Sequence, residues 1–251
     1  MKGKLIGFYR RRKSLTSKKK SPPEIAAEIE RKLTGNLVVD IVRLPRMSKK
    51  DKIFLYRNLR VLLKKSSSIC DSDRKHIKSL VYSQLPWTVA YGVNPKLFIA
   101  RVKMIRNLLT PESNFAIHYV NEHVFPDGHK AIDVYAVFVR KIGKVAVLKI
   151  RFNPILDRNY IEFLQGVKGV DMRKVNEILG RPWFEVILYK VLQSAKPLFE
   201  AGHELYFEKE PGVTLFSKIR DRYLEDTPVN EILGLYRFSR RKRRVKEILG
   251  E

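Results

Sequence analysis

"KVAVLKIRFNP", Lys144 to Pro154, reads as a short apolar strand with a lysine in its middle. Val145, Val147 and Ile150 call for a core, yet an ammonium is costly to bury among them. Working outward, "FAIHYVNEHVF" and "AIDVYAVFVRK" precede it with the same alternation, so the hydrophobic period changes from 3.6 to 2 near residue 113. The second and third strands meet at Ile142–Gly143, which predicts an antiparallel hairpin. Beyond them, "RPWFEVILYKVLQSAKPLFEAG" predicts a helix to about Ser194. "HELYFEKEPG" predicts a return to strand, and "TLFSKIRDRYLED" another helix. Residues 157–181 read as a connecting stretch.

The N-terminal half has a helical period. "SPPEIAAEIERKLTG" predicts a helix capped by Ser21, opened by prolines and closed by Gly35. "NLVVDIVRLP" predicts a short strand. "SKKDKIFLYRNLRVLLKK", capped at Ser48, and "DSDRKHIKSLVYSQL" predict two helices joined by a serine-rich turn. That pair suits a helix-turn-helix or winged-helix element, or equally an ordinary helical hairpin. "PKLFIARVKMIRNLL" is a further helix, opened by Pro95. The fold class expected is α+β: an antiparallel sheet with one packed helix, preceded by a small, mainly helical module. Residues 1–22 form a disordered basic arm, 23–85 the helical module, 86–226 the sheet-bearing unit and 227–251 a basic C-terminal helix. The hexapeptide "VNEILG" stands at Val175–Gly180 and Val229–Gly234, and "VKEILG" at Val245–Gly250. Its spacing is uneven, so it reads as a recurrent helix ending closed by glycine.

Charge narrows the function. The 251 residues carry a net charge of +25, and 44% are hydrophobic, so the chain can fold around a core and attract polyanions. Residues 1–22 hold nine Lys or Arg and no acid, among them Arg10, Arg11, Arg12 and Lys13. Residues 237–246 hold seven, namely Arg237, Arg240, Arg241, Lys242, Arg243, Arg244 and Lys246. These clusters are the expected nucleic-acid contacts, with Phe8, Tyr9, Tyr236 and Phe238 beside them to stack on bases. An acidic protein partner is the alternative. Cys70 is the one cysteine, so no internal disulfide forms, and it reads as structural. His118 and His123 lie five apart on a strand, on opposite faces, and read as ordinary strand residues. No apolar run approaches the roughly 20 residues of a membrane span. A reducing, cytoplasmic setting fits. Glutamine is scarce (Gln84, Gln165, Gln193) beside abundant Lys, Arg, Ile and Val, a composition that suits a thermophile.

The lysine strand suggests a role for Lys149. A strand lysine can grip a nucleotide's phosphates when a carboxylate on a neighbouring helix, here Glu185, holds it in place. "VAVLK" echoes the Val-Ala-Ile-Lys strand of protein kinases, one residue longer. With "DGHKAIDVYAVF", "VAVLKIRFNPILDR", "FEVILYKVLQSAKPLFEAG" and "ELYFEKEPGVTL" in that order, residues 83–225 resemble the N-lobe of RIO-type and archaeal RIO-like atypical protein kinases. The resemblance implies a nucleotide site built from Gly128, Lys130, Lys149, Glu185, Glu208 and Glu210, with ATP as the ligand. Departures stand beside it. Gly128 is alone in its loop, and after Gly212 the only aspartates are Asp221 and Asp226. No His-x-Asp and no Asp-Phe-Gly motif follows, so Mg²⁺ lacks its acid. The resemblance thus implies a kinase relative that has lost phosphotransfer. A rival outline, a restriction-endonuclease-like core with Asp133 as metal ligand, fails where Lys149 stands at the position of its second acid. Incubated with labelled ATP and Mg²⁺, the chain should transfer no phosphate to itself or to generic substrates. Transfer abolished by Lys149→Ala would show the opposite.

Overall fold

A computed structural model describes residues 20–64, 67–124, 130–153, 158–203 and 205–207. Among them are seven helices and five strands, the α+β class that the sequence predicts. The helices of the N-terminal half are α1 (Pro22–Lys32), α2 (Leu37–Val42), α3 (Lys49–Leu62), α4 (Asp71–Ala90) and α5 (Pro95–Leu108). A meander follows: β1 (Phe115–Val124), β2 (Lys130–Val139), β3 (Gly143–Asn153) and β4 (Arg158–Gly166). Then come α6 (Met172–Leu179), α7 (Trp183–Glu200) and β5 (Leu205–Phe207). The strands lie in chain order, antiparallel from β1 to β4, and β5 runs parallel to β4.

Register divides the sheet into two faces. Tyr119, Tyr135, Leu148 and Leu164 stand opposite one another across four strands. Asp133, Ile150 and Ile161 form the next row. This face lies under the helices. His76 of α4 stacks on Tyr119, with ring centroids 3.4 Å apart. Arg101 of α5 donates from Nε to Asn159 Oδ1 of β4 at 3.0 Å, both residues buried. A Cβ on Gly166 would come within 3.4 Å of Trp183, where α7 begins. One continuous cluster of buried side chains joins α1, α3, α4, α5 and α7 to β1–β5.

Four local readings change. "NLVVDIVRLP" is helical over Leu37–Val42, where the sequence predicts a strand. Its β-branched run is overruled by a cap: Asn36 Oδ1 accepts from the Val38 and Val39 amides, at 3.1 and 3.3 Å. Buried Asp40 then fixes the turn before it, accepting from the Thr34 amide and hydroxyl at 2.7 and 2.8 Å. Among the described residues no strand stands between residues 20 and 64. α4 does not stop at Leu85 but runs through Pro86 to Ala90, across the expected boundary at 85/86. α7 likewise passes Ser194 and Pro197 to Glu200. Near these prolines, Thr88 and Ser194 hydroxyls donate to the Gln84 and Lys190 carbonyls, at 2.9 and 2.7 Å. Finally, the connecting stretch at 157–181 contains β4 and α6.

Other readings hold. The β2–β3 hairpin turns through Lys141 and Gly143, at φ 68° and 95°. Its Ile142 amide donates to Val139 O at 3.1 Å. Val175–Gly180 is the end of α6, closed by Gly180 at φ 68°. The later copies of that hexapeptide, and the helix expected in "TLFSKIRDRYLED", lie outside the described residues.

The two faces make neighbouring residues unequal. Leu148→Ala, at 0% exposure, should lower unfolding free energy by about 2–5 kcal/mol through lost burial and a cavity. Lys149→Ala, on the other face, should cost much less. Urea unfolding of the two variants measures the difference, and equal losses would refute the register.

Candidate nucleic-acid interface

The sequence-predicted nucleotide residues are spread by this fold. Lys149 lies in β3 between Val134 and Phe163, half-buried, on the face opposite Leu148 and Ile150. Glu185 sits in the first turn of α7, two residues after Trp183, and that helix packs on the Leu148 face. Lys149 and Glu185 thus come from separate elements, β3 and α7. β4 and α6 also intervene between the lysine strand and the glutamate helix. Lys130 begins β2. Gly128, Glu208 and Glu210 lie outside the described residues. So do Arg10, Arg11, Arg12 and Lys13, and Arg237, Arg240, Arg241, Lys242, Arg243 and Arg244.

On the Lys149 face, the Arg151 guanidinium pairs with buried Glu162, Nε to Oε1 2.9 Å, and lies 5.0 Å from the Tyr160 ring centroid. Asp133 points the other way, into the helix-covered side, and accepts from the Tyr135 hydroxyl at 3.2 Å. Burial first, then the Asp133 charge, pushes the Tyr135 phenol well above its usual range, so it stays a donor. Arg140, seven residues further along, is about 23 Å of strand from Asp133 and out of its reach.

Cations gather instead on the helical half. An open groove of about 820 Å³ runs between α2, α3 and α4. Arg57 and Arg60 line it from α3, Lys64 from the second residue past its end, and Lys78 from α4. Spacings of three and four residues put the first three on one helical stripe, spanning about 10 Å. All four are exposed, and none has an ion-pair partner among the described residues. Tyr56 and Tyr82 add two rings. Lys78 Nζ stands 5.8 Å over the Tyr82 ring, and the Tyr82 hydroxyl donates to Gly35 O at 3.0 Å. Partial burial, then the Asp40 charge, raises the Tyr82 phenol, so the ring presents no negative charge to the groove.

A second basic hollow, bounded by α1 and α2, differs in its electrostatics. It includes Lys20, Lys32, Arg43 and Arg46. Glu28 binds both lysines there, each at 2.6 Å, and its carboxyl is lowered to about 2 by hydrogen bonds from Lys20 and then Lys32. The α3–α4 groove has no such acid among its lining residues.

The α3 stripe was readable in "YRNLRVLLKK", where Arg57, Arg60 and Lys64 fall at helical spacing. The longer charge runs at the two ends drew the sequence reading away from it. Lys78 and Tyr82 come from 14 or more residues further on, and only the packing of α4 places them here. Comparison with protein-family models, with curated proteins and with solved structures finds no match to this chain.

Register sets Lys149 on the face away from Leu148 and Glu185 is carried by α7, so the two should behave independently. In a double-mutant cycle with Lys149→Ala and Glu185→Ala, the coupling in unfolding free energy should stay within about 0.5 kcal/mol. A coupling of 1 kcal/mol or more, on the order expected of contacting residues, would restore the nucleotide-gripping pair.

Proposed function

We propose that this chain binds nucleic acid, with the α3–α4 groove as an interface and the sheet as the scaffold that holds the helices. The observation that carries the reading is the groove's composition: four exposed cations with no acid partner among the described residues, and two tyrosines in one open channel. Cations that meet phosphates release condensed counterions, which gives affinity without sequence choice. Rings beside them supply faces for bases. The net charge of +25 draws such a partner from a distance. The basic clusters at residues 10–13 and 237–244 fit the same partner and would extend the contact. An acidic protein is the competing partner, since the groove would attract its carboxylates as well.

A nucleotide contact in a kinase-like unit has less support. It rests on the order of sequence motifs alone. Among the described residues no helix is long and apolar enough to cross a membrane.

Replacing Arg57, Arg60, Lys64 and Lys78 by Gln should flatten the slope of log affinity against log salt by about 3 to 4 units if all four meet B-form DNA phosphates. A single strand has lower charge density, so the same change there should be about 3 units. The far-ultraviolet circular dichroism should be retained, since all four side chains are exposed. Replacing Arg240, Arg241, Arg243 and Arg244 by Ala separates the C-terminal contribution. If the groove variant leaves affinity and slope intact on both DNA and RNA, the groove is not the interface. If the unaltered protein shows no salt-sensitive binding to either, the nucleic-acid reading fails and the charge serves an acidic protein or a membrane surface.

A further inference from the structure

Cys70, Asp73 and His118 converge where the start of α4 meets edge strand β1. Their ligand atoms all lie within 4.8 Å of one another. His118 Nδ1 is 2.8 Å from Asp73 Oδ2, Cys70 Sγ is 3.0 Å from the same oxygen, and Sγ is 3.8 Å from Nδ1. Asp73 is 1% exposed, so this carboxylate is a built-in part of the joint. Its other oxygen accepts the Tyr119 amide at 3.0 Å, which fixes its direction. Cys70 is exposed and His118 half-exposed, leaving the outer side open.

We propose that these three side chains hold one zinc-type divalent metal ion, which clamps α4 to β1 and keeps a fourth position open to solvent. The triangle has nearly the right size. Tetrahedral zinc with ordinary bond lengths sets sulfur–nitrogen and sulfur–oxygen edges of about 3.6 Å and a nitrogen–oxygen edge of about 3.3 Å. The observed sulfur–nitrogen edge is about 0.2 Å longer, and the two edges to the carboxylate oxygen are about 0.5 to 0.6 Å shorter, so an ion would spread the triangle by side-chain torsions. Thiolate and carboxylate supply two negative charges, and neutral imidazole none, so a divalent ion neutralises the set. Sulfur and imidazole favour zinc and its soft neighbours over Mg²⁺ or Ca²⁺. The Asp73–Tyr119 hydrogen bond supplies the outer support that orients a ligand. Ser72 Oγ, 3.1 Å from Sγ, can hydrogen-bond to the thiolate.

The same three residue types also make hydrolytic triads, but the geometry here is different. In a triad the nucleophile and the acid address opposite nitrogens of the imidazole. Here Sγ and the carboxylate both face Nδ1. The sequence reading of Cys70 as purely structural, and of His118 as an ordinary strand residue, changes accordingly. Asp73 and His118 are 45 positions apart.

The chain has one cysteine, so any metal–thiolate signal reports Cys70. Reduced, chelator-stripped full-length protein should take up one equivalent of Co²⁺. A thiolate-to-cobalt charge-transfer band and the strong visible bands of four-coordinate cobalt should appear, and Zn²⁺ should bleach both. Cys70→Ser should abolish the charge-transfer band, and His118→Gln should weaken Co²⁺ binding at least about tenfold. Zn²⁺ should raise the thermal midpoint of the parent protein and leave that of Cys70→Ser where it was. Absence of the band in the parent, weak bands of six-coordinate cobalt alone, or unchanged affinity in folded His118→Gln would each overturn the site. If His118→Gln fails to fold, a zinc-induced rise in midpoint that persists in Cys70→Ser overturns it instead.

Discussion

One face of the sheet must stay under the helices, and the β2–β3–β4 register enforces this. Tyr135, Leu148 and Leu164 form a row that only a single alignment can bury together. A shift of one residue would turn Lys149 toward α5 and α7 and leave Leu148 outside. The cost of burying an ammonium there makes the shift prohibitive. Lys149 is therefore informative about the fold even without a ligand: it marks the face that cannot become the helix-covered one. Register irregularities next to Tyr119, Val137 and Lys149 absorb extra residues without losing the row.

Polar groups inside the fold hold its joints. Arg101 and Asn159 link α5 to β4, and buried Lys190 of α7 reaches Glu112 at 2.5 Å. Asp73 ties the start of α4 to the backbone of β1. Among the described strands β1 lies at the edge of the sheet, where outward amides lack a neighbouring strand. Asp73 answers one of them, at Tyr119, while its second oxygen faces Cys70 and His118. The helical half and the sheet are thus joined by apolar packing and by directional contacts whose partners lie far apart in sequence.

Much of the fold was legible from period and punctuation. Pro95, Ser48 and Gly180 start or stop helices where such residues do so for local reasons. The β1–β2–β3 meander follows from its alternation. β4 was not legible, because register passes from Ile161 to Phe163 around Glu162, and the irregularity breaks the period of two. α2 was hidden by a β-branched run whose conformation is decided by the Asn36 cap and by Asp40. Helix ends expected at Leu85 and about Ser194 fall just before prolines 86 and 197, yet both helices run past them. For the sites, spacing showed the α3 stripe in principle. No local signal shows that Lys78 joins it, or that His118 meets Cys70, because both depend on how α4 lies against its neighbours.

The distribution of acids explains why the groove is positive. The chain has 26 Asp and Glu against 51 Lys and Arg. Many of the described acids occupy structural positions. Glu24 accepts from the Ser21 amide, Asp51 from the Ser48 hydroxyl, and Asp171 from the Arg173 amide, each at a helix start. There they also complement the helix dipole. Asp40, Asp73, Asp133 and Glu162 are buried, with hydrogen-bond or ion-pair partners inside the fold. An acid held in a cap or in the core cannot also screen an exposed arginine beyond its Debye length, about 10 Å at moderate salt. Few acids are then left for the outer helical surface. The cations at 57, 60 and 64 have no ion-pair partner among the described residues, and Tyr56 and Tyr82 line the same groove. The arrangement leaves cations on the outside while several acids are held in the frame, so the field of the groove is shaped in part by residues that stabilise the fold.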